Sequence, residues 1–181
     1  IVFAKRFTGY KRADLLLRDR DRFDRLVNNK ERPVQIIWAG KPYPMDYAAV
    51  GVFDKIVDAC KAYSNCAVLA GYELKLSKLL KQGADVWLNL PRLTHEASGT
   101  SGMSAAMNGT INVSTADGWF PEFVKDKNNG FVIPSSDPAL PEHIQDDKDV
   151  ISLYDMLEKE VIPLYYDYPS SWVTIMKNSM H

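Results

Sequence analysis

The sequence predicts a doubly wound α/β domain with a parallel, Rossmann-like sheet, and three observations carry this prediction. Short apolar runs rich in β-branched residues alternate along the chain with longer amphipathic stretches, which is typical of βαβ units. These runs are strand-sized and fall short of the roughly 20 apolar residues that span a bilayer, so we expect no membrane segment. Apolar residues make up 46% and charged residues 25% of the chain, which indicates a folded globular protein.

Five strands are predicted, and a further extended piece is expected at residues 131–133. The five strands cover residues 1–4, 34–39, 66–70, 85–88 and 110–114. Apolar residues at three- and four-residue spacing predict helices between them, over residues 11–28, 46–63, 74–82 and 101–108. Gly83 and Gly109 follow the last two of these segments, where C-terminal caps belong. Two closing helices are predicted over residues 150–165 and 169–180.

The length of 181 residues favours a single domain over residues 1–181, with the sheet and crossover helices in about 1–134 and the closing helices in 148–181. The chain opens inside a predicted strand without an initiator methionine, so we expect it to be a fragment of a longer protein. Cys60 and Cys66 match no zinc-ligand spacing and are interpreted as the reduced, buried thiols of a cytoplasmic protein.

Positive charge is concentrated at the start of the chain. Residues 1–41 carry 11 Lys and Arg against 5 Asp and Glu, whereas the remainder carries 11 against 18. Because the whole chain is not basic and no nucleic-acid-binding motif accompanies the basic segment, the sequence argues against a nucleic-acid partner. The alternating signs over residues 18–25 favour a solvated helix face.

The loop after the first predicted strand is suited to an anion. Lys5, Arg6, Lys11 and Arg12 bracket Gly9 and lead into the predicted helix N-terminus. Arginine offers a fork of donors and lysine a mobile point charge, so such a loop can neutralise a phosphate that backbone N–H groups also hold. A solvated basic turn explains the local pattern equally well.

The loop after the fourth predicted strand predicts a second anion site. Gly99 and Gly102 allow close backbone approach, and the hydroxyls of Ser98, Thr100 and Ser101 can donate hydrogen bonds before a small-residue helix. An ordinary N-cap is the alternative. Glu96 would be unfavourable beside an anion unless its carboxylate accepts hydrogen bonds from sugar hydroxyls. His95 is interpreted as a loop or core histidine, Trp38 and Trp87 as core residues, and Trp119 as packing against the closing helices.

These motifs resemble those of the glycogen and maltodextrin phosphorylases. The segment Glu96-Ala97-Ser98-Gly99-Thr100, followed by Asn108-Gly109 and Asp117-Gly118, resembles the family's Glu-Ala-Ser-Gly-Thr-x-x-Met-Lys, Asn-Gly and Asp-Gly in the same order. Lys5-Arg6 and Tyr10-Lys11-Arg12 resemble its Lys-Arg-x-x-x-Tyr-Lys-Arg segment, and Gly71-Tyr72 resembles its Asn-Tyr. The resemblance covers residues 5 to about 118.

The resemblance implies the C-terminal domain of a two-domain, GT-B-type glycosyltransferase whose N-terminal domain forms the other wall of the cleft. It implies reversible phosphorolysis of α-1,4-glucan to glucose 1-phosphate with retention, with pyridoxal phosphate as cofactor and a possible homo-oligomer. By the same resemblance, Arg6 and Lys11 bind the substrate phosphate. Lys5, Thr100 and Ser101 contact the phosphate of pyridoxal phosphate, and Tyr72 lines the cofactor pocket. Glu96, Ser98 and Gly99 hold glucose hydroxyls. No metal ligand is implied.

One position departs from the family pattern. Eight residues after Glu96, where the phosphorylases carry the lysine that forms the Schiff base with pyridoxal phosphate, this chain has Ser104. Two alternatives therefore stay open. A synthase-like enzyme would use a nucleotide-sugar, although such transferases commonly carry glutamate at this spacing. A non-catalytic homologue would keep the site as a glucan-binding module.

Overall fold

The computed structural model describes residues 1–71 and 73–181 and contains one six-stranded parallel sheet. The strands are β1 (Val2–Ala4), β2 (Ile36–Gly40), β3 (Cys66–Ala70), β4 (Val86–Asn89), β5 (Ile111–Thr115) and β6 (Phe131–Ile133). Their spatial order is β3-β2-β1-β4-β5-β6. The predicted doubly wound fold is confirmed, and the extended piece at residues 131–133 is a full sixth strand paired with β5.

Eight α-helices connect and close the sheet in the described part of the chain. They are α1 (Arg20–Val27), α2 (Tyr47–Cys60), α3 (Leu74–Gly83), α4 (Thr100–Ala106), α5 (Phe120–Phe123), α6 (Glu142–Met156), α7 (Ile162–Asp167) and α8 (Pro169–Ser179). A π-helical turn, Leu157–Val161, joins α6 to α7. No helix among these residues is long and apolar enough to cross a membrane.

Alternating side chains along each strand form two hydrophobic clusters, one on each face of the sheet. Phe3 and Trp38 belong to the larger cluster, which also contains residues of α1, α2, α6 and α8. Val2 and Trp87 belong to the smaller cluster with residues of α3 and α4. Trp38 and Trp87 are fully buried, so their interpretation as core residues is confirmed.

The helix predicted over residues 11–28 is wrong. Two short 3₁₀ turns, Gly9–Lys11 and Leu15–Arg18, replace its first half, and α1 begins only at residue 20, where the Asp19 side chain accepts a hydrogen bond from the Arg22 N–H. Arg12 has a left-handed φ of 50°, which an α-helix cannot accommodate. The basic loop after β1 therefore enters a 3₁₀ turn and has no α-helix dipole behind it.

Other boundaries also differ from the prediction. Gly83 lies inside α3, and Ala84 takes the cap position, so its predicted capping role is wrong. Gly109 does follow α4 with a φ of 78°, as expected for a terminating glycine. The closing helices begin at Glu142 rather than at residue 150, with Pro141 at the N-cap position. The break before Pro169 is confirmed. The short helix α5 was not predicted.

The strand order changes direction between β1 and β4. β1 pairs in parallel with β2 on one side and, through Val2 and Trp87, with β4 on the other. In open parallel sheets this switch point opens a crevice beyond the carboxyl ends of the strands. The loops that follow β1 and β4 therefore face each other across the crevice.

Candidate functional site

A pocket of about 830 Å³ lies at this switch point. It is lined by Lys5, Arg6 and Lys11 from the loop after β1, by residues 40–44 at the end of β2 and just after it, and by residues 96–101 before and in the first turn of α4. The fold thus brings together, in one cavity, the two loops for which the sequence predicted separate anion sites.

Glycine at position 40 lets the loops after β1 and β2 approach closely. Gly40 has a φ of 144°, and a β-carbon there would lie 2.0 Å from the carbonyl oxygen of Lys5. The Lys5 N–H donates to the Ala39 carbonyl at 3.0 Å, which extends the β1–β2 pairing by one residue. The backbone at Lys5 is therefore fixed where the chain leaves the sheet.

The Lys5 side chain is buried at the base of the pocket. Its ammonium donates to the Asn89 amide oxygen and lies 3.5 Å from the Ser101 hydroxyl. Burial, with the nearby Lys11 charge as a second cause, lowers the pKa of Lys5 from 10.5 to about 7. An anion placed near the ammonium would oppose both effects.

Lys11 and Glu96 form an ion pair that closes one side of the pocket. The Lys11 ammonium lies 2.5 Å from a Glu96 carboxylate oxygen, and both side chains are largely buried. Lys11 lies at the end of a 3₁₀ turn, where its N–H donates to the Thr8 carbonyl at 3.0 Å. Arg6 is exposed at the pocket rim.

Asp117 and Gly118 support the loop that carries Glu96. One carboxylate oxygen of Asp117 accepts from the backbone N–H groups of His95 and Glu96, at 3.0 and 2.8 Å. Gly118 has a φ of 61°, and a β-carbon there would lie 2.4 Å from the Ser98 carbonyl oxygen. These contacts give a physical reason for an Asp-Gly pair after β5.

The start of α4 faces the same pocket. Gly99 occupies the N-cap position with a φ of 86°, and Thr100 and Ser101 form the first turn. The glycine at 102 allows this turn to pack closely, because a β-carbon there would lie 2.9 Å from the Asn112 amide oxygen and 3.0 Å from the Trp119 indole nitrogen. Trp119 thus lies over α4, and the groove it lines also includes Met180 from the chain's closing segment.

Ser104 stands apart from the other predicted site residues. Its hydroxyl is 3.1 Å from the Thr100 carbonyl oxygen and 3.2 Å from the Ser101 carbonyl oxygen, so it bonds back onto its own helix. It is not among the described residues that line the pocket. Tyr72 lies outside the described residues. His95 is an exposed loop residue that stacks on Tyr10, with 6.1 Å between ring centroids.

Sequence reasoning missed Lys41 and Tyr43, which also line the pocket. They follow β2, the strand beside β1, so their position at the carboxyl edge was the available signal. With Lys41 included, the described lining holds four cationic side chains and a single carboxylate, that of Glu96. The pocket is therefore strongly electropositive, as an anion site requires.

A second cluster of charges lies just behind the pocket. Arg12 is 2.6 Å from Asp149 and 3.2 Å from Asp146, and Arg92 is 2.7 Å from Asp146. Arg12 also donates to the carbonyls of Leu90 and Pro91. This cluster ties the loops after β1 and β4 to α6. Among residues 1–71 and 73–181, no group of His, Cys, Asp and Glu could hold a metal ion. Cys60 and Cys66 form no disulfide, and both are half-buried rather than buried as predicted.

Comparison with known proteins gives consistent matches. The family described as carbohydrate phosphorylase matches residues 2–131. A maltodextrin phosphorylase from Thermococcus litoralis is 44% identical over an alignment that covers 99% of this chain and 22% of that protein. A glycogen phosphorylase from Aquifex aeolicus is 39% identical over an alignment that covers 99% of this chain and 27% of that protein. An uncharacterised Methanocaldococcus jannaschii protein is 44% identical over 91% of this chain and 30% of its own length. The chain thus spans less than a third of these relatives.

Proposed function

Because the chain belongs to the carbohydrate phosphorylase family, we propose that it forms the phosphate-binding half of an α-glucan phosphorylase, a glycosyltransferase of the GT-B type. The observation that carries the proposal is the charge of the pocket at the sheet's switch point, where four cations face one carboxylate. A cytoplasmic location and a separate N-terminal domain that closes the cleft belong to the same proposal.

The proposed reaction is phosphorolysis of an α-1,4-glucan with retention. A phosphate oxygen forms a bond to C1 of the terminal glucose, the bond from C1 to the glucan oxygen breaks, and that oxygen takes its proton from the phosphate. Arg6 and Lys11 would hold the phosphate, since the exposed guanidinium and the ammonium both reach the pocket. Their charges stabilise the transferring group, and positioning supplies much of the remaining rate.

Glu96 is the group best suited to the sugar. Its carboxylate already accepts from Lys11, which neutralises its charge beside an anion, and its second oxygen can accept from a glucose hydroxyl. Ser98 and Gly99 line the pocket next to it. Lys41 and Tyr43 extend the same wall, and we propose that they contact the glucan or its phosphate.

Pyridoxal phosphate, the cofactor that the family implies, fits this chain at one end only. Lys5, Thr100 and Ser101 lie where a phosphate group can be held by a buried ammonium, hydroxyls and helix N–H groups. At the other end, Ser104 offers a hydroxyl that bonds to its own helix and cannot form an imine. When bound, the cofactor would supply a second phosphate beside the reacting one, and this chain would hold it without a covalent bond at position 104.

The deciding experiment uses the complete protein that contains this chain, incubated with maltodextrin and inorganic phosphate. Release of glucose 1-phosphate is expected. Transfer that depends on a nucleotide-sugar would instead support a synthase, and glucan binding with neither activity would support a non-catalytic homologue.

The 181-residue chain alone should bind phosphate without turning over glucan. A cleft that excludes water and orients two substrates needs both walls. Phosphorolysis of maltodextrin by the isolated chain would contradict this division between the two domains.

A further inference from the structure

Three buried hydrogen bonds connect the base of the pocket to the helix beside it. The Lys5 ammonium donates to the Asn89 amide oxygen, and the Asn89 amide nitrogen donates to the Asn112 amide oxygen at 2.8 Å. The Asn112 amide nitrogen donates to the Gly102 carbonyl at 3.0 Å. Lys5 is 8%, Asn89 7% and Asn112 1% exposed. These hydrogen bonds form a buried relay of Lys5, Asn89, Asn112 and Gly102. The relay connects the end of β1 with β4, β5 and α4, away from solvent.

The direction of the relay is fixed at both ends. An ammonium can only donate and a backbone carbonyl can only accept, so each amide between them has one orientation that satisfies its neighbours. Rotating either amide would place donor against donor or acceptor against acceptor in a buried site, which is costly. The side chains of Lys5, Asn89 and Asn112 thus hold one another in a single arrangement.

Asn112 itself is not among the described residues that line the pocket. It contacts α4 at the glycine whose missing side chain lets the helix approach β5. Its two bonds therefore act on two separate parts of the anion site, namely the buried ammonium, through Asn89, and the first turn of α4.

We propose that Asn112 is a positioning residue for the anion site, which holds the Lys5 ammonium through Asn89 and the first turn of α4 through Gly102. The inference rests on the proposed function, because it assumes that the pocket binds phosphate. Its consequence is that a buried residue outside the pocket controls phosphate affinity.

A matched control position lies just before β5, the strand that carries Asn112. Thr110, two positions before Asn112, is 1% exposed, and its hydroxyl donates to the carbonyls of Lys81 and Ala84 at the opposite end of the sheet. Asn112→Leu and Thr110→Val each remove buried side-chain hydrogen bonds with little change of shape. Both are expected to lower the melting temperature, whereas Asn112→Leu alone is expected to weaken phosphate binding.

The test measures the Kd of the 181-residue chain for inorganic phosphate by calorimetry at constant ionic strength. Asn112→Leu is expected to raise the Kd roughly fivefold, the size of one lost hydrogen bond, and Thr110→Val to leave it unchanged. If Asn112→Leu does not fold, Asn112→Ser replaces it, since serine is small, polar and too short to join Asn89 to Gly102.

A double-mutant cycle tests whether the effect passes through Lys5. In the Lys5→Met background, Asn112→Leu is expected to change the Kd by a smaller factor than in the unmodified chain, since only its contact with the first turn of α4 still acts on the site. An unchanged Kd for both Asn112 variants would overturn the inference, as would an undiminished effect without Lys5. Absence of phosphate binding by the unmodified chain would instead overturn the proposed function, and this inference with it.

Discussion

Lys11 and Arg12 are adjacent in sequence, yet their side chains enter opposite environments. Arg12 is buried against Asp146 and Asp149, and Arg92 and Arg18 also pair with Asp146, so every arginine of this cluster has a carboxylate partner. Lys11 enters the pocket, where the cationic side chains share one carboxylate, that of Glu96. One cluster satisfies its charges internally, and the other leaves positive charge for a ligand.

The difference separates two uses of a basic residue within one short motif. Buried charges are tolerated when they are paired and hydrogen-bonded, which the Arg12 cluster achieves without a ligand. A buried ammonium such as that of Lys5, whose amide partner carries no charge, favours an anion nearby. The cluster around Arg12, whose charges are matched, is therefore structural, and the pocket, whose charges are unmatched, is where we propose that binding takes place.

The largest expected effect is on stability, and it comes from breaking the ion pairs around Arg12. Arg12→Met leaves Asp146 and Asp149 buried with less compensation, and we expect a loss of about 3–5 kcal/mol in the free energy of unfolding. Urea denaturation measures it. Arg32→Met is the control, since Arg32 pairs with the partly exposed Asp167 and with no residue of this cluster, and its loss should stay below about 1 kcal/mol. Equal losses for the two variants would remove the distinction between the clusters.

The next largest effect is on the affinity for phosphate, and it comes from removing one cation of the pocket. Lys11→Met removes a cation and frees the Glu96 carboxylate to repel an anion, so the Kd for phosphate should rise at least about tenfold. Thermal shifts across phosphate concentrations at constant ionic strength report this change. Lys55→Met, which removes a lysine paired with Asp14 away from the pocket, should shift like the unmodified chain. Identical phosphate responses for all three proteins would contradict the prediction.

The same comparison shows what the sequence could and could not predict. The alternation of apolar runs was enough to predict the parallel sheet, because a buried strand is recognisable as a short run of apolar residues. Glu96, Gly99 and Lys11 were predicted as site residues because their motifs follow strands whose carboxyl ends meet at one edge of the sheet. Arg12 looked like part of the anion-binding loop, since its partners Asp146 and Asp149 lie more than 130 residues away.

The long-range contacts also explain the wrong helix after β1. The pattern over residues 11–28 has helical spacing, but Arg12 is buried and adopts a left-handed backbone conformation that ends the 3₁₀ turn. Asn89 and Asn112 carried no local signal either, because an asparagine in an apolar strand becomes informative only when its partner is known. Tertiary contacts thus decided the elements nearest the site.

A smaller effect should appear in the pH dependence of anion binding. The pKa of Lys5 lies at about 7, so the ammonium loses its proton as the pH rises from 6 to 8. Sulfate keeps its charge over this range, and its affinity should fall severalfold, up to about tenfold. The Lys5→Met variant should show no such slope. The groups facing Lys5 are Lys11, Glu96 and Lys81, and His95→Gln controls for the nearby imidazole.

The free energy of unfolding should report the same change in the protonation of Lys5 independently of anion binding. Between pH of about 7 and 10.5 the unfolded chain keeps a proton on Lys5 that the folded chain has released, so the free energy of unfolding should rise with pH relative to Lys5→Met. Below about 7, both states carry the charge and the difference should level off. Parallel stability curves for the two proteins would show that the ammonium is not desolvated.

The smallest effect on the fold is expected at Ser104, which belongs to neither cluster. Its hydroxyl bonds within its own helix, so Ser104→Lys should change the free energy of unfolding by no more than about 0.5 kcal/mol. The chemical consequence is larger, because an amine at this position can condense with the aldehyde of pyridoxal phosphate and a hydroxyl cannot. Borohydride reduction followed by peptide mapping should fix label at position 104 in the variant only. Label on Lys5, Lys11 or Lys41 in the natural chain would show that a pocket lysine already serves as the anchor, and that the pocket's cations are not reserved for anions.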